Sequence, residues 1–370
     1  MNELIDLYEE SFGTPGSLIE LTSEEGTTFH VAVRFPDAEL EITDTKIVSL
    51  GLSQLTDEDG LDIELTLTTH AKSSPELVEE TGTFFYQLFE QIKEDGGFRS
   101  GTIYKTGAVP GFDGKDAVII LNAGYRSQEW LNEEDYKGEL IKIVPLFSVE
   151  AEELEKIDIE NRELFIYKSK VAFTDPQRKQ TSIVYDAVYN TWQAISVWYT
   201  EHQVNNADVL TDMLAKSKSE EGAQLESALP TDLPEDFKQS FNIINDTVRI
   251  GRYYLHDSEK IIETHQYMTK MNDDGEFEEA LDKLDTAPEF QPVWWHAQWV
   301  PIASDSYGDM ILLDMAPAPE GTAGQVLRHS AVEGPAYTGN PSFLDWLDDY
   351  VTALRTGQYN IDDEGILTEA

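Results

Sequence analysis

Short segments in which apolar and polar residues alternate dominate the first half of the chain, and such alternation predicts β-strands. The first clear case is residues 27–35, TTFHVAVRF, whose alternating apolar side chains would share one face. Residues 45–53 and 61–69 are further predicted strands, separated by the turn-forming cluster TDEDG. In residues 61–69 every second side chain is apolar and Glu64 falls between two of them. This pattern predicts a half-buried strand with an acidic face towards water.

Apolar residues spaced three and four apart predict amphipathic helices. They form such a stripe over residues 75–93 and, with many aromatic side chains, over residues 184–199. Asn206 is a predicted N-cap, Pro234 precedes a short helix, and Ser342 is predicted to cap the closing helix. Apolar segments bounded by Gly, Pro or Asp predict further strands at residues 101–107, 116–124, 139–149, 294–303, 309–316, 324–330 and 334–339. The mixture predicts an α+β protein of two domains, each a mixed or antiparallel sheet with helices packed mainly on one side.

The length of 370 residues also favours two domains. The only locally basic stretch is YKSKVAFTDPQRKQTS, residues 167–182, which we interpret as a solvated connection. The predicted domains are therefore residues 1–166 and residues 183–370, joined by this linker.

Acidic residues outnumber basic ones by 71 to 26, which gives a formal net charge of −45. Such a surface repels nucleic-acid phosphate and anionic lipid, so we expect neither direct nucleic-acid binding nor membrane binding. It attracts basic proteins, although an acidic proteome or a need for solubility would produce the same charge. The chain has no cysteine, no long apolar run and no signal-peptide pattern at its acidic start, which favours a cytoplasmic location.

The motifs that usually mark catalytic or metal chemistry are missing. No pair among the 7 histidines has the H-x-x-x-H spacing of a metal site, and no phosphate-binding loop or nucleophile elbow occurs. The acidic segment around Gly275 fails as a calcium loop, because Lys270 and Leu281 would occupy its first and last ligand positions. We predict no cofactor, no metal and no catalytic residue; an enzyme with an acidic metal-dependent site remains the least favoured alternative.

The stretch 298–328, followed by the closing helix, resembles the SUKH superfamily, which includes the yeast Smi/Knr cell-wall-assembly regulators and many bacterial proteins. The similarity covers roughly residues 184–358, and LPTDLPEDFKQSFNIIND at residues 229–246 resembles the loop and helix of that family. The matching residues are expected to be mainly structural: Trp299, Pro301, Gly308, Pro317, Gly324, Phe343 and Leu347. The chain departs from the family pattern after this helix, where TVRIGRYYLHDSEKIIETHQYMTK at residues 247–270 replaces a hydrophobic, glycine-rich segment, and residues 275–290 are unusually acidic.

Residues 47–54, 62–68 and 139–154 resemble strands of suppressor-of-fused-like domains, over about residues 11–164. In bacteria, proteins of both families resemble immunity proteins that neutralise polymorphic toxins by occluding them. The resemblance and the charge together imply a non-enzymatic bacterial immunity protein for a basic toxin, such as a nuclease. A regulatory scaffold that binds a cellular partner is the main alternative. The oligomeric state stays open, with a monomer favoured.

Acidic and amide side chains in turns are the predicted partner contacts, since they could face a basic protein. They are Asp305, Asp309, Asp314, Gln325, Asp273, Asp274, Glu276, Asp57, Glu58 and Asp59. Turn residues of this kind also satisfy backbone amides, so a structural role is the alternative for each of them.

Overall fold

The computed structural model describes residues 4–6, 8–9, 13–22, 26, 28–37, 42–54, 62–123, 139–216, 220–284 and 287–370. The chain divides into two units. Unit 1 comprises residues 1–163 and 171–182, and unit 2 comprises residues 164–170 and 183–370. The predicted α+β fold with two domains is confirmed.

Unit 1 is built on a seven-stranded mixed sheet in the order β1-β2-β3-β4-β7-β6-β5. Its strands are β1 (Ser17–Thr22), β2 (Thr28–Arg34), β3 (Thr45–Leu50), β4 (Ile63–Thr69), β5 (Ile103–Lys105), β6 (Ala117–Asn122) and β7 (Glu139–Leu146). Strands β4 and β7 pair in parallel, whereas the other neighbours pair antiparallel. The unit also contains a 3₁₀ turn at Leu52–Gln54 and the helices α1 (Pro75–Glu94) and α2 (Ser148–Leu154).

Helix α1 covers one face of this sheet, as the apolar stripe predicts. Ser74 caps its start, because the Ser74 Oγ accepts a hydrogen bond from the Leu77 N–H at 3.2 Å. The buried stripe of α1 packs against inward side chains of β2, β3, β4, β6 and β7 in one continuous apolar core. On the opposite face a smaller cluster forms where Tyr8 packs against residues of β2, β3 and β7. The central strands are therefore covered on both faces.

Strand β4 differs from its prediction, because its acidic side chain is buried rather than wet. Glu64 is 0% exposed. Its carboxylate accepts hydrogen bonds from the Ser49 Oγ at 2.6 Å, the Gly51 N–H at 2.7 Å and the Ser53 Oγ at 2.8 Å. Burial raises the pKa of Glu64, and these hydrogen bonds oppose the shift. Glu64, the polar residue in the alternating pattern, thus connects β4 in the middle of the sheet to the turn that follows β3.

The basic stretch is also not the solvated connection that its composition predicts. Residues 171–182 belong to unit 1, where Arg178 forms a buried two-pronged ion pair with Glu150 of α2. The two Nη atoms of Arg178 lie 2.6 Å from the two carboxylate oxygens of Glu150. The Arg178 Nη2 also donates to the Pro145 carbonyl at 3.0 Å, and the Lys115 Nζ donates to the Pro176 carbonyl at 2.6 Å. The predicted domain limits remain predictions.

Unit 2 combines a helical layer with a six-stranded antiparallel sheet in the order β13-β12-β11-β10-β9-β8. Its helices are α3 (Arg162–Ser169), which begins in unit 1, α4 (Ile183–Glu201), α5 (Ala207–Leu214), α6 (Glu221–Ala228), α7 (Glu235–Ile243), α8 (Ser258–Asp273) and α9 (Phe343–Arg355). Its strands are β8 (Arg249–Ile250), β9 (Tyr253–Leu255), β10 (Trp299–Ser304), β11 (Met310–Asp314), β12 (Gln325–Ser330) and β13 (Gly334–Tyr337). A 3₁₀ turn at Glu278–Lys283 and the separate pair β14 (Tyr359–Ile361) and β15 (Leu367–Glu369) complete it.

The aromatic stripe of α4 lies in the core of unit 2, as predicted. Trp192 is fully buried, and its Nε1–H donates to the Ser240 Oγ of α7 at 2.9 Å. Asn206 precedes α5, and the Ser342 Oγ accepts from the Asp345 N–H at 3.2 Å, so both predicted N-cap positions are confirmed.

Asp236 in the first turn of α7 joins that helix to α9. Its carboxylate is 2% exposed and accepts hydrogen bonds from the Phe237 N–H at 2.8 Å and from the Leu344 N–H at 2.9 Å. The second bond satisfies one of the free amides at the start of α9. Burial raises the pKa of Asp236 from 3.8 to about 6, because hydrogen bonds from Leu344 and Phe237 offset only part of the desolvation.

We expect the buried Asp236 to make unit 2 less stable as the pH rises from about 4 to about 6. In this range the unfolded chain has released the Asp236 proton while the folded chain retains it, so each increase in pH favours unfolding. The variant Asp236→Asn has no titrating group at this position. Over the same pH range its free energy of unfolding should therefore decrease less than that of the unchanged protein, by a difference of up to about 3 kcal/mol. Urea denaturation followed by tryptophan fluorescence at several pH values measures both slopes. Equal slopes for the two proteins would contradict the assignment.

Candidate partner-binding surface

Trp299 at the start of β10 anchors the core of unit 2. It is 0% exposed and packs with Phe290, Trp295, Leu312 and Leu327. Its indole Nε1–H donates to the Asp314 Oδ1 at 2.9 Å, across the paired ends of β10 and β11. A buried tryptophan needs such a partner for its N–H, and the expected structural role of Trp299 agrees with this position.

Asp314 and Gln325 are predicted partner contacts, but the structure places both in the interior. They are 0% and 1% exposed. The Gln325 Nε2 donates to the Asp314 Oδ2 at 2.9 Å and to the Glu289 carbonyl at 2.8 Å, and the Ala316 N–H donates to the Asp314 Oδ1 at 2.9 Å. Burial raises the pKa of Asp314, which these hydrogen bonds oppose. Both side chains therefore fix the loop between β11 and β12, and neither reaches a partner.

Two glycines of the signature occupy positions that demand glycine. Gly308 and Gly324 both have φ of +90°, a region that side chains disfavour. At Gly324 an added Cβ would also lie 2.9 Å from the Pro234 Cγ. The loop before β12 thus passes close to the start of α7.

The positions of the remaining signature residues agree with their expected structural role. Pro301 lies where the β10–β11 pairing shifts register, and the Pro317 carbonyl accepts from the Gln291 Nε2 at 3.3 Å. Phe343 and Leu347 are buried on α9, where Phe343 packs edge-on against Phe237.

Asp305 and Asp309 lie together in the turn between β10 and β11. The Asp305 Oδ1 accepts from the Tyr307 N–H at 2.8 Å and from the Asp309 N–H at 3.0 Å. Arg252, at the turn between β8 and β9, pairs with both carboxylates. The Asp305 side chain is only 2% exposed and the Asp309 side chain 20%. Asp305 therefore shapes the turn rather than facing a partner, which corrects its predicted role.

The neighbouring turn between β12 and β13 is tied to this one. The Ala331 N–H donates to the Asp309 Oδ1 at 3.1 Å, and the Val332 N–H donates to the Ser330 Oγ at 3.2 Å. Burial opposes ionisation of Asp309, but the Ala331 N–H and Arg252 hold the pKa of its carboxyl below the usual value. The two turns form a hydrogen-bonded pair at one end of the sheet with a stable negative charge between them.

Two apolar side chains project from these turns into solvent. Tyr307 is 88% exposed and Val332 is 79% exposed. We call Arg252, residues 306–309 and residues 331–333 the hairpin-tip surface. Neither Tyr307 nor Val332 is among the contacts predicted from the sequence. The pattern DSYGD at residues 305–309 has the Asp and Gly of a tight turn and would have placed the tyrosine at the tip of that turn.

The other predicted acidic contacts lie elsewhere. Asp273 ends α8, Asp274 follows it in an ion pair with Lys270, and Glu276 is exposed just beyond. Asp273 and Asp274 line a cavity of about 660 Å³ with residues of α8 and of the α6–α7 connection. The predicted contacts Asp57, Glu58 and Asp59 lie outside the described residues.

The described residues contain no group of three or more His, Asp or Glu side chains that could hold a metal ion. Among the helices of the described part of the chain, none is long and apolar enough to cross a membrane.

Residues 217–349 match the model of the SMI1 / KNR4 family (SUKH-1), and the match spans the hairpin-tip surface and the Trp299 core. This segment is a SUKH-1 domain. Two curated fungal proteins are similar to the chain. The cell wall biosynthesis/cell cycle regulator smi1 of Schizosaccharomyces pombe is 25% identical over 194 residues, which cover 48% of this chain and 38% of that protein. A glucan synthesis regulatory protein of Neurospora crassa is 22% identical over 216 residues, which cover 48% of this chain and 40% of that protein. The matched region is thus about two fifths of each relative.

The structure also shows similarity to suppressor-of-fused proteins, as the sequence of the N-terminal half indicates. The putative homologue from Neisseria gonorrhoeae shares 15% identity with a TM-score of 0.37, covering 48% of this chain and 94% of that chain. Drosophila suppressor of fused shares 14% identity with a TM-score of 0.35, and the match covers 53% of this chain and 54% of that chain. At these TM-scores nothing further follows from the similarity.

Proposed function

We propose that this chain is a regulatory protein that binds a basic protein partner through the hairpin-tip surface of its SUKH-1 domain. The observation behind this proposal is the exposure of Tyr307 and Val332, 88% and 79%, on turns that hydrogen bonds hold rigid. Exposed aromatic side chains on a fixed backbone bind partners at little entropic cost.

The acidic surroundings specify the chemistry of the partner. Asp309 stays ionised beside Tyr307, Glu333 is exposed next to Val332, and the whole chain has a formal net charge of −45. A basic protein is attracted to such a surface from a distance and associates faster at low salt.

The named relatives favour regulation over catalysis. Both are fungal regulators, one of cell wall biosynthesis and the cell cycle, the other of glucan synthesis. The toxin-neutralising role expected from the bacterial resemblance has the same physical mechanism, occlusion of a basic protein, but neither relative's name mentions a toxin. A cytoplasmic location, no cofactor and a monomeric state remain parts of the proposal.

An affinity capture from the source cells tests the proposal. The bait is the tagged full chain, either unchanged or with Tyr307→Ser and Val332→Ser together. The matched control changes Tyr267→Ser and Val197→Ser, a tyrosine and a valine of unit 2 that are 61% and 51% exposed. We expect a basic protein to be retained by the unchanged bait and the control, and calorimetry with that purified protein to give a Kd at least about tenfold higher for the tip variant.

Higher salt should weaken the same complex. If the tip variant binds the captured protein as tightly as the control does, or if salt has no effect, the proposal is wrong. Expressing the captured protein alone separates the two roles: death of the host that this chain prevents would identify a toxin, whereas an altered activity of a cellular protein would identify a regulated partner.

A further inference from the structure

A cavity of about 430 Å³ in unit 2 lies apart from the residues used so far. It is bounded by the β8–β9 hairpin, the segment after β13, helix α9 and strand β14. Four aromatic side chains line it: Tyr253, Trp346, Tyr350 and Tyr359. The other lining residues are uncharged except Asp349, and no Lys, Arg or His is among them.

The aromatic walls are held in place. The rings of Tyr350 and Tyr359 pack edge to face, at 72° and with centroids 5.4 Å apart. The Tyr350 hydroxyl accepts from the Gly251 N–H at 3.0 Å and lies 2.7 Å from the Tyr199 hydroxyl. Trp346 is four residues before Tyr350 on α9 and so lies on the same side of that helix. Tyr350 is thus held by its hydroxyl, and the Tyr359 ring packs against it.

The charge of the cavity comes from Asp349. The Asn340 Nδ2 donates to the Asp349 Oδ2 at 2.5 Å, and Asn340 itself is 6% exposed. In the described part of the chain no basic side chain forms an ion pair with Asp349, whereas its neighbour Asp348 is paired with Lys168. The Asn340 bond orients the Asp349 carboxylate without neutralising it.

We propose that this cavity binds an alkylammonium group, in the form of a lysine side chain of the basic partner. Aromatic faces attract cations within about 6 Å, and an ionised carboxylate at the same site adds to that attraction. A phosphate or carboxylate ligand would meet Asp349 and no basic residue. A sugar could stack on the rings and donate hydroxyl hydrogen bonds to Asp349, but it carries no positive charge to complement the carboxylate, so the experiment includes a sugar as a competing ligand. The inference rests on the proposed function, because it names a second contact for the same partner.

The chain already pairs cations with tyrosine rings beside this cavity. The Arg252 guanidinium lies 5.1 Å from the centre of the Tyr253 ring, and the Arg249 guanidinium lies 5.6 Å from that of Tyr254. The charge of Arg252 is balanced by Asp305 and Asp309. The Arg249 guanidinium donates to the Gly251 carbonyl at 2.8 Å and to the Leu367 carbonyl at 2.9 Å and does not line the cavity, so Asp349 is the charged group that a ligand there would contact.

The experiment titrates the full chain with choline and with 3,3-dimethylbutan-1-ol, which has the same shape without the charge. The indole ¹H–¹⁵N signal of Trp346, assigned with Trp346→Phe, reports binding. We expect saturable shifts with choline and with Nα-acetyl-lysine methyl ester, and an affinity about tenfold lower for the alcohol. Asp349→Asn, which keeps the size and one acceptor oxygen, should weaken choline binding, and Tyr267→Leu should not.

Equal binding of choline and the alcohol, absence of saturable binding, or binding of the glucan disaccharide laminaribiose in place of choline would each overturn the inference. With the captured partner, Asp349→Asn should raise Kd while leaving the response to the tip variant unchanged. If the tip variant no longer binds the partner but Asp349→Asn leaves the Kd for that partner unchanged, the cavity inference fails and the proposed function stands. If choline binds but the tip variant keeps the partner, the proposed function fails separately.

Discussion

Replacing Arg178 with methionine is expected to lower the free energy of unfolding of unit 1 by about 3–5 kcal/mol. The substitution leaves the Glu150 carboxylate, which is 0% exposed, without its two guanidinium hydrogen bonds, and an unpaired buried charge is among the most destabilising of single defects. Hydrogen–deuterium exchange of peptides from β7 and α2 measures the loss, while peptides from β10 and β11 of unit 2 serve as the internal reference.

Arg99→Met is the matched control, since its partner Glu160 and Arg99 itself are 71% and 62% exposed. An exposed pair of this kind contributes at most about 1 kcal/mol. The double variant Arg178→Met, Glu150→Met should recover much of the loss, because it removes both buried charges together. If Arg178→Met costs no more than Arg99→Met, the pair is not buried in solution and the stretch is the solvated linker that its composition suggests.

Asp314→Ala is expected to lower the free energy of unfolding of unit 2 by about 4 kcal/mol. It removes the acceptor of two buried donors, the Trp299 Nε1–H and the Gln325 amide, and of the partly buried Ala316 N–H. Each buried donor left without a partner costs about 1–3 kcal/mol. Urea denaturation followed by tryptophan fluorescence reports mainly on this unit, because six of the seven tryptophans of the chain lie in it: Trp192, Trp198, Trp294, Trp295, Trp299 and Trp346.

Asp314→Asn keeps one acceptor oxygen and should lose about 1–2 kcal/mol. Asp274→Ala is the control, since Asp274 is exposed and forms its ion pair with the exposed Lys270. A tolerated Asp314→Ala, within about 0.5 kcal/mol of that control, would show that the loop between β11 and β12 does not depend on this carboxylate.

The regular parts of the fold follow from local pattern, and the corrections all involve polar side chains. The stripes of α1, α4 and α9 identify their buried faces because one helix face repeats every three to four residues. The alternating pattern of β4 predicts an exposed Glu64, but the Glu64 carboxylate is buried and accepts hydrogen bonds from Ser49 and Gly51. These donors lie more than ten residues away in the sequence, so no local pattern reveals them. The same reason explains why Arg178 and Asp314 cannot be recognised as buried from composition or turn propensity.

The candidate surface was predicted only in part. The sequence identifies the turns around Asp305 and Asp309 and the acidic character of the chain. It cannot show that Arg252 joins them, or that the Ala331 N–H docks the second turn onto Asp309, since both contacts depend on strand order. Once those turns are paired, Tyr307 and Val332 are the large apolar side chains of the two turns that stay exposed to solvent.

The path of the chain at the junction limits how such a protein can be reshuffled by recombination. Phe165 is fully buried and Asn190 donates to the carbonyls of Lys168 and Ser169, so residues 164–170 are needed by the second half. The next twelve residues supply Arg178 to the first half. No single crossover point separates a complete first half from a complete second half. An exchange of the SUKH-1 part with another two-domain protein must therefore carry residues 164–170 along and leave residues 171–182 behind. Otherwise the other protein must have the same sequence at this junction.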